Sequence, residues 1–136
     1  MHDLAVLAAV DKAHLGALLD FHRVWGYLII VGNGLAGLWA LAAHRYPALR
    51  TRALWWFTFF VEAAVFVQIG TGLGLIDGLH AKPPPFHPFY GFVAVVVVGV
   101  CFAYRSQLRR RIYLLYGFGG LFLMGVAVRA LLVAKS

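Results

Sequence analysis

The sequence predicts an all-α membrane protein, four transmembrane helices in an up-and-down bundle preceded by an N-terminal interfacial helix. Three observations carry this. Of the 136 residues, 62% are hydrophobic and only 12% are charged, an apolar excess that a soluble domain of this size has no interior to bury. Four runs meet or approach the roughly 20 apolar residues that a helix rising 1.5 Å per residue needs to cross a bilayer. No run alternates apolar with polar residues, so the other way of satisfying a backbone in lipid, a closed barrel, lacks its strands.

Residues 1–21 form the first segment. Its apolar stretches are interrupted by Asp11, Lys12 and His14, which makes it too polar for a span and suits an amphipathic helix at the membrane surface. Met1-His2-Asp3 offers no basic cluster of the kind that opens a cleavable signal peptide, so the first span is expected to direct insertion. The four-helix domain then covers residues 22–136. Its spans are residues 22–43, 54–76, 88–104 and 112–134, arranged as two hairpins, 22–76 and 87–134. Short connections force neighbouring helices to run antiparallel. Between the hairpins lies DGLHAKPPPFHP, where Pro83, Pro84 and Pro85 stiffen the loop and Pro88 suits the first turn of the third span.

The formal charge of +7 has a topological meaning once the charges are placed. Arg45, Arg50 and Arg52 fall in the first loop, and Arg105, Arg109, Arg110 and Arg111 fall in the third. Both loops are expected on the cytoplasmic side, with the two termini outside, as in a multi-pass protein of a bacterial plasma membrane. This distribution argues against nucleic acid as a partner, since the basic residues mark topology rather than a binding face. Cys101 is the sole cysteine, which excludes an intrachain disulfide and Cys-x-x-Cys chemistry. Small residues mark the expected helix contacts: Gly32, Gly34, Ala36 and Gly37 in span one, Gly70, Gly72 and Gly74 in span two, and Gly117, Gly119, Gly120 and Gly125 in span four.

Sliding the chain by 65 residues aligns HRVWGYLIIVGNG with HPFYGFVAVVVVG. His22 meets His87, and Gly26 meets Gly91. The two histidines stand at the same ends of spans one and three, which lie on a diagonal of the bundle, on the order of 12–14 Å between axes. That separation admits a flat macrocycle whose iron takes one imidazole from each side. Each glycine stands four residues after its histidine on the same helical face, leaving room for a ring.

His22-Arg23 after the acidic Asp20, Gln68-Ile69-Gly70 late in span two, and His87 at the start of span three together resemble one four-helix half of the haem A synthase family. The likeness covers residues 20–134 and implies haem held by His22 and His87. It lacks that family's outer-loop cysteine pair, and the chain carries one such half rather than two.

The remaining polar residues have narrower readings. Glu62 sits deep in span two, where a carboxylate is expensive and turns inward, as a protonated or paired group or as part of a proton path. Gln68 is expected to bond between helices. Arg129 and Arg23 suit either the interface or a haem propionate. His2, His14 and His80 join Asp11, Asp20 and Asp77 on the outer side, where a zinc or copper site is a lesser alternative. No nucleophile with a base and no paired carboxylates stand out in the sequence. The expected function is therefore a haem b protein that carries electrons or haem. The alternative is a non-catalytic accessory subunit of a larger, respiratory-type membrane complex. A homo-oligomer is compatible with both.

Overall fold

A computed structural model describes residues 2–80 and 82–135; Met1, Ala81 and Ser136 lie outside the described residues. Among those described, the chain forms four α-helices and no strand: α1 His2–Arg45, α2 Arg52–Leu79, α3 His87–Tyr104 and α4 Ile112–Lys135. All four are long and apolar enough to cross a membrane. Large apolar side chains such as Phe59, Phe66, Phe92 and Phe118 are exposed on the outside of the bundle. Helices apolar on every side bury one face on one another and leave the other for lipid.

The punctuation follows local chemistry. Tyr46 precedes Pro47 and is extended, which stops α1, and Pro47–Leu49 turns the chain in a single 3-10 turn. His80 ends α2 in the left-handed region with φ of 51° and returns its N–H to the carbonyl of Ile76, a position histidine tolerates better than most side chains. Phe86, at φ 66°, is the turn residue before α3. An aromatic side chain there is strained, and the turn it makes hands the chain directly to His87. A second 3-10 turn, Arg109–Arg111, leads into α4.

Residues 2–21 are helical but do not form a separate element. They continue α1 without a break, so that one helix of 44 residues runs about 66 Å, roughly twice the hydrocarbon thickness of a bilayer. Leu15 and Leu18 pack beside Gly78 and Gly74 of α2. Residues 2–14 run on beyond that contact and are exposed throughout.

α1 is the centre of the bundle, packing on α4 over its most extensive interface and on α2 on its other side; α3 leans on α4 and scarcely touches α2. Glycine makes the α1–α4 interface. A Cβ on Gly37 would lie 2.8 Å from the carbonyl of Gly117 and from the amide of Leu121, and one on Gly120 would lie 2.8 Å from the carbonyl of Asn33. Backbone meets backbone there, as small residues allow in lipid. Gly32 and Gly34 make room for Val61 and Met124. Gly70 and Gly125 differ from expectation: nothing lies within 4 Å of the position a Cβ would take, because both face away from the neighbouring helices. Asn33, 1% exposed, donates from Nδ2 to the carbonyls of Ile29 at 3.0 Å and Val61 at 3.4 Å, a polar tie between α1 and α2 of about 0.6 kcal/mol for a typical membrane hydrogen bond.

The two hairpins are alike in plan but not in packing. His22 lies midway along the long α1, whereas His87 is the first residue of α3. Both stand at the end of the bundle opposite the arginine-rich loops, here called the histidine end.

Candidate functional site: a histidine pair on the bundle diagonal

The structure brings His22 and His87 together. Their ring centres are 6.0 Å apart with the ring planes at 68°, although α1 and α3 occupy opposite corners of the bundle. Side chains reaching inward from both helices close the diagonal.

Each ring is held by its Nδ1. That atom of His22 lies 2.8 Å from the hydroxyl of Thr71, and the Thr71 hydroxyl donates its only hydrogen to the carbonyl of Gln68 at 2.9 Å. Toward His22 the hydroxyl therefore accepts, so Nδ1 of His22 carries the hydrogen. In His87, Nδ1 lies 2.9 Å from the carbonyl of Ala130; a carbonyl only accepts, so this Nδ1 is also protonated. In the neutral tautomer of both rings, Nε2 then holds the free lone pair. Anchoring one imidazole nitrogen to a hydroxyl or backbone carbonyl and leaving the other free is the arrangement by which proteins orient metal-binding histidines.

The donor set also discriminates between ligands. Among the described residues no group of three or more His, Cys, Asp or Glu converges on one point. Two imidazoles fall short of the three or four protein ligands usual for zinc. They suit an iron whose four other ligands come from a macrocycle. A metal between two imidazoles separates their ring centres by roughly 6 Å, given about 2 Å for each metal–nitrogen bond and about 1 Å from nitrogen to ring centre. The 6.0 Å between the rings of His22 and His87 is of that size, while the space expected for the macrocycle beside Gly26 and Gly91 is taken by Gln68 and Ile69.

The other expected site residues fall around this pair in different ways. Gly26 and Gly91 face α2 rather than an open slot: a Cβ on Gly26 would meet Nε2 of Gln68 at 3.2 Å, and one on Gly91 would meet Cδ1 of Ile69 at 2.9 Å. In this structure they admit α2, because the side chains of Gln68 and Ile69 fill the space expected for a ring. Gln68 bonds between helices, donating from Nε2 to the carbonyl of His22 at 2.8 Å, while its buried Oε1 has no partner among the described residues. Arg129 is exposed and donates from Nε to the hydroxyl of Tyr90 at 3.3 Å. Since Ala130 follows it in sequence and Tyr90 stands one turn after His87, the Arg129–Tyr90 pair flanks His87. Arg23 is exposed beside His22 and makes no hydrogen bond among the described residues. Glu62 lies deeper in the bundle, half-buried, and is not part of the histidine site.

Two residues that hold the site stand outside the sequence reading of it: Thr71 is not singled out there, and Gly72 enters only as an expected helix contact. Thr71 fixes the His22 tautomer. Gly72 gives the same ring its resting place: a Cβ there would come within 3.2 Å of Cε1 of His22. The one available signal was position, since Thr71 stands three residues after Gln68 and therefore on the same helical face.

In comparisons with known proteins, no family model, no curated sequence and no solved structure matches this chain.

Proposed function

We propose that this chain is an integral haem b protein of a bacterial plasma membrane, in which His22 and His87 would hold the haem iron and the chain carries electrons or haem. The observation that supports it is the pair itself: two imidazoles on diagonal helices, ring centres 6.0 Å apart, each held through Nδ1. Bound haem supplies a reversible one-electron couple at its iron. The chain's own residues bind and orient. Thr71 and the Ala130 carbonyl set the ring tautomers, and Arg23 and Arg129 bring positive charge to the histidine end for the propionates. The reading assigns no residue a nucleophilic or acid–base role. With the arginine loops on the cytoplasmic side, the site and both termini lie on the outer side. The likeness to half of a haem A synthase bears on haem binding rather than on that family's synthesis reaction, since the outer-loop cysteine pair is missing.

A second reading, a non-catalytic accessory subunit of a larger membrane complex, has one observation in its favour. Residues 2–14 of α1 extend past the rest of the bundle with Leu4 and Leu7 exposed at 72% and 60%. A free helix of that length is marginal in water, and a partner subunit would cover it.

A reduced-minus-oxidised visible spectrum with pyridine haemochrome quantification, on the detergent-purified chain expressed with ample haem supply, tests the proposal. A low-spin haem signal close to stoichiometric is expected. Thr71→Val, which removes the acceptor for Nδ1 of His22, is expected to weaken haem retention about 10- to 100-fold, the usual cost of losing such a partner. Haem-free protein that co-purifies with a fixed set of membrane proteins would favour the accessory subunit.

A further inference from the structure

A groove runs along the lipid-facing side of α3 and α4 in the half of the bundle nearer the arginine loops. Val97 and Val100 of α3 and Leu114, Leu115, Phe118 and Phe122 of α4 line it, and Arg111 stands at one end. Its floor is closed where Gly119 lets α4 approach Cys101: a Cβ on Gly119 would fall 2.6 Å from Sγ. From Arg111 to Phe122 the helix rises about 16 Å, close to half the roughly 30 Å thickness of a bilayer's hydrocarbon. The groove thus extends from headgroup depth to about the midplane.

Charge at its mouth is one-sided. The acidic residues of the chain are Asp3, Asp11, Asp20, Glu62 and Asp77, none of them in the loops that carry Arg45, Arg50, Arg52, Arg105, Arg109, Arg110 and Arg111. Two of those arginines are satisfied locally. Arg50 bonds the carbonyls of Ala43 and His44 and lies over the ring of Tyr113, and Arg105 bonds the carbonyl of Phe102 and lies over its ring. The guanidinium of Arg111 is exposed with no hydrogen bond or ion pair among the described residues. An anion that pairs with it comes from outside the chain, since no acidic residue lies in these loops.

We infer that this groove is a binding site for one anionic glycerophospholipid of the leaflet at the arginine end, with an acyl chain between α3 and α4 and the phosphate on Arg111. An arginine and a phosphate form a charge-assisted, geometrically matched pair, and basic pockets between membrane helices on the cytoplasmic side recognise anionic headgroups. The inference does not depend on haem, since the groove and the histidine pair lie in opposite halves of the bundle.

Native mass spectrometry of the detergent-purified full chain, titrated with phosphatidylglycerol or with phosphatidylcholine of the same acyl composition, tests it. Wild-type protein is expected to take up one phosphatidylglycerol at least tenfold more tightly than phosphatidylcholine. Arg111→Ala should bring the two lipids to within about twofold. Arg52→Ala, at the same end but beside Trp55 and Trp56 of α2, should leave the preference intact. Val100→Trp, which fills the groove at a lipid-exposed position, should weaken uptake of both lipids. Equal affinity for the two lipids in the wild type would overturn the assignment, and so would equal losses in Arg111→Ala and Arg52→Ala, which would indicate unlocalised attraction. A dimer that replaces the lipid adduct and is lost in Val100→Trp would give the groove to a second copy of the chain.

Discussion

His87→Ala is expected to eliminate the low-spin haem spectrum, with haem retention falling at least tenfold, while helical content and thermal stability in detergent stay close to those of the unsubstituted chain. His87 is the first residue of α3, and its side chain makes one hydrogen bond, to the Ala130 carbonyl. Removing it costs the fold little more than that bond, about 0.6 kcal/mol by the measure of other membrane hydrogen bonds. His22→Ala should give the same spectral loss, because both rings would hold the iron in the proposed site. His87→Met separates ligation from structure: a thioether in place of one imidazole should keep a low-spin spectrum and raise the reduction potential. A full wild-type spectrum in either alanine variant would remove that histidine as a ligand.

The largest effect on stability is expected from Gly37→Ala. The new methyl group would lie 2.8 Å from the Gly117 carbonyl oxygen and the Leu121 amide nitrogen, backbone atoms with no rotamer to change. Overpacking against side chains already costs about 1–3 kcal/mol. Here α1 and α4 must separate along the bundle's main interface, so the loss should reach or exceed the upper part of that range. Gly70→Ala and Gly125→Ala are the matching controls: each adds its methyl group to open space, and the usual helical preference for alanine should leave them neutral or more stable by about 0.5–1 kcal/mol. Unfolding in SDS titrations, compared across the three variants, gives the ranking. If Gly37→Ala unfolds no earlier than Gly125→Ala, the backbone contact is not what holds α1 to α4.

Composition made the spans legible because lipid imposes one simple demand, a long apolar helix, and each expected span lies within an observed helix. The continuity of α1 was less so. Asp11, Lys12, His14 and Asp20 lower the hydropathy of residues 4–20 without lowering helix propensity, since the segment is otherwise rich in alanine and leucine. Hydropathy locates what lipid tolerates and says nothing of where a helix continues outside it. At the site, the 65-residue shift found the two histidines on their diagonal, because helix direction follows from loop length. It could not find Thr71, whose role depends on the ring that α1 sets opposite it, nor foresee that Gln68 and Ile69 would fill the spaces beside Gly26 and Gly91. Those facts arise from how side chains of different helices interleave, which a one-dimensional pattern does not record.

The slight contact between α2 and α3 gives the molecule an uneven stiffness. Three sides of the square, α2 with α1, α1 with α4 and α4 with α3, are well packed, and the fourth is lightly packed. The distance between His22 and His87 is therefore set by a chain of three interfaces rather than by any direct clamp between α1 and α3. That fourth side is closed by the touch of Ile69 on Gly91 and by Ala64 and Val65 of α2, which share a buried cluster with Ala94 and Val98 of α3. The bundle is built like a book, bound along α1 and α4 and lightly closed at the fore-edge, and the two imidazoles face each other across its pages.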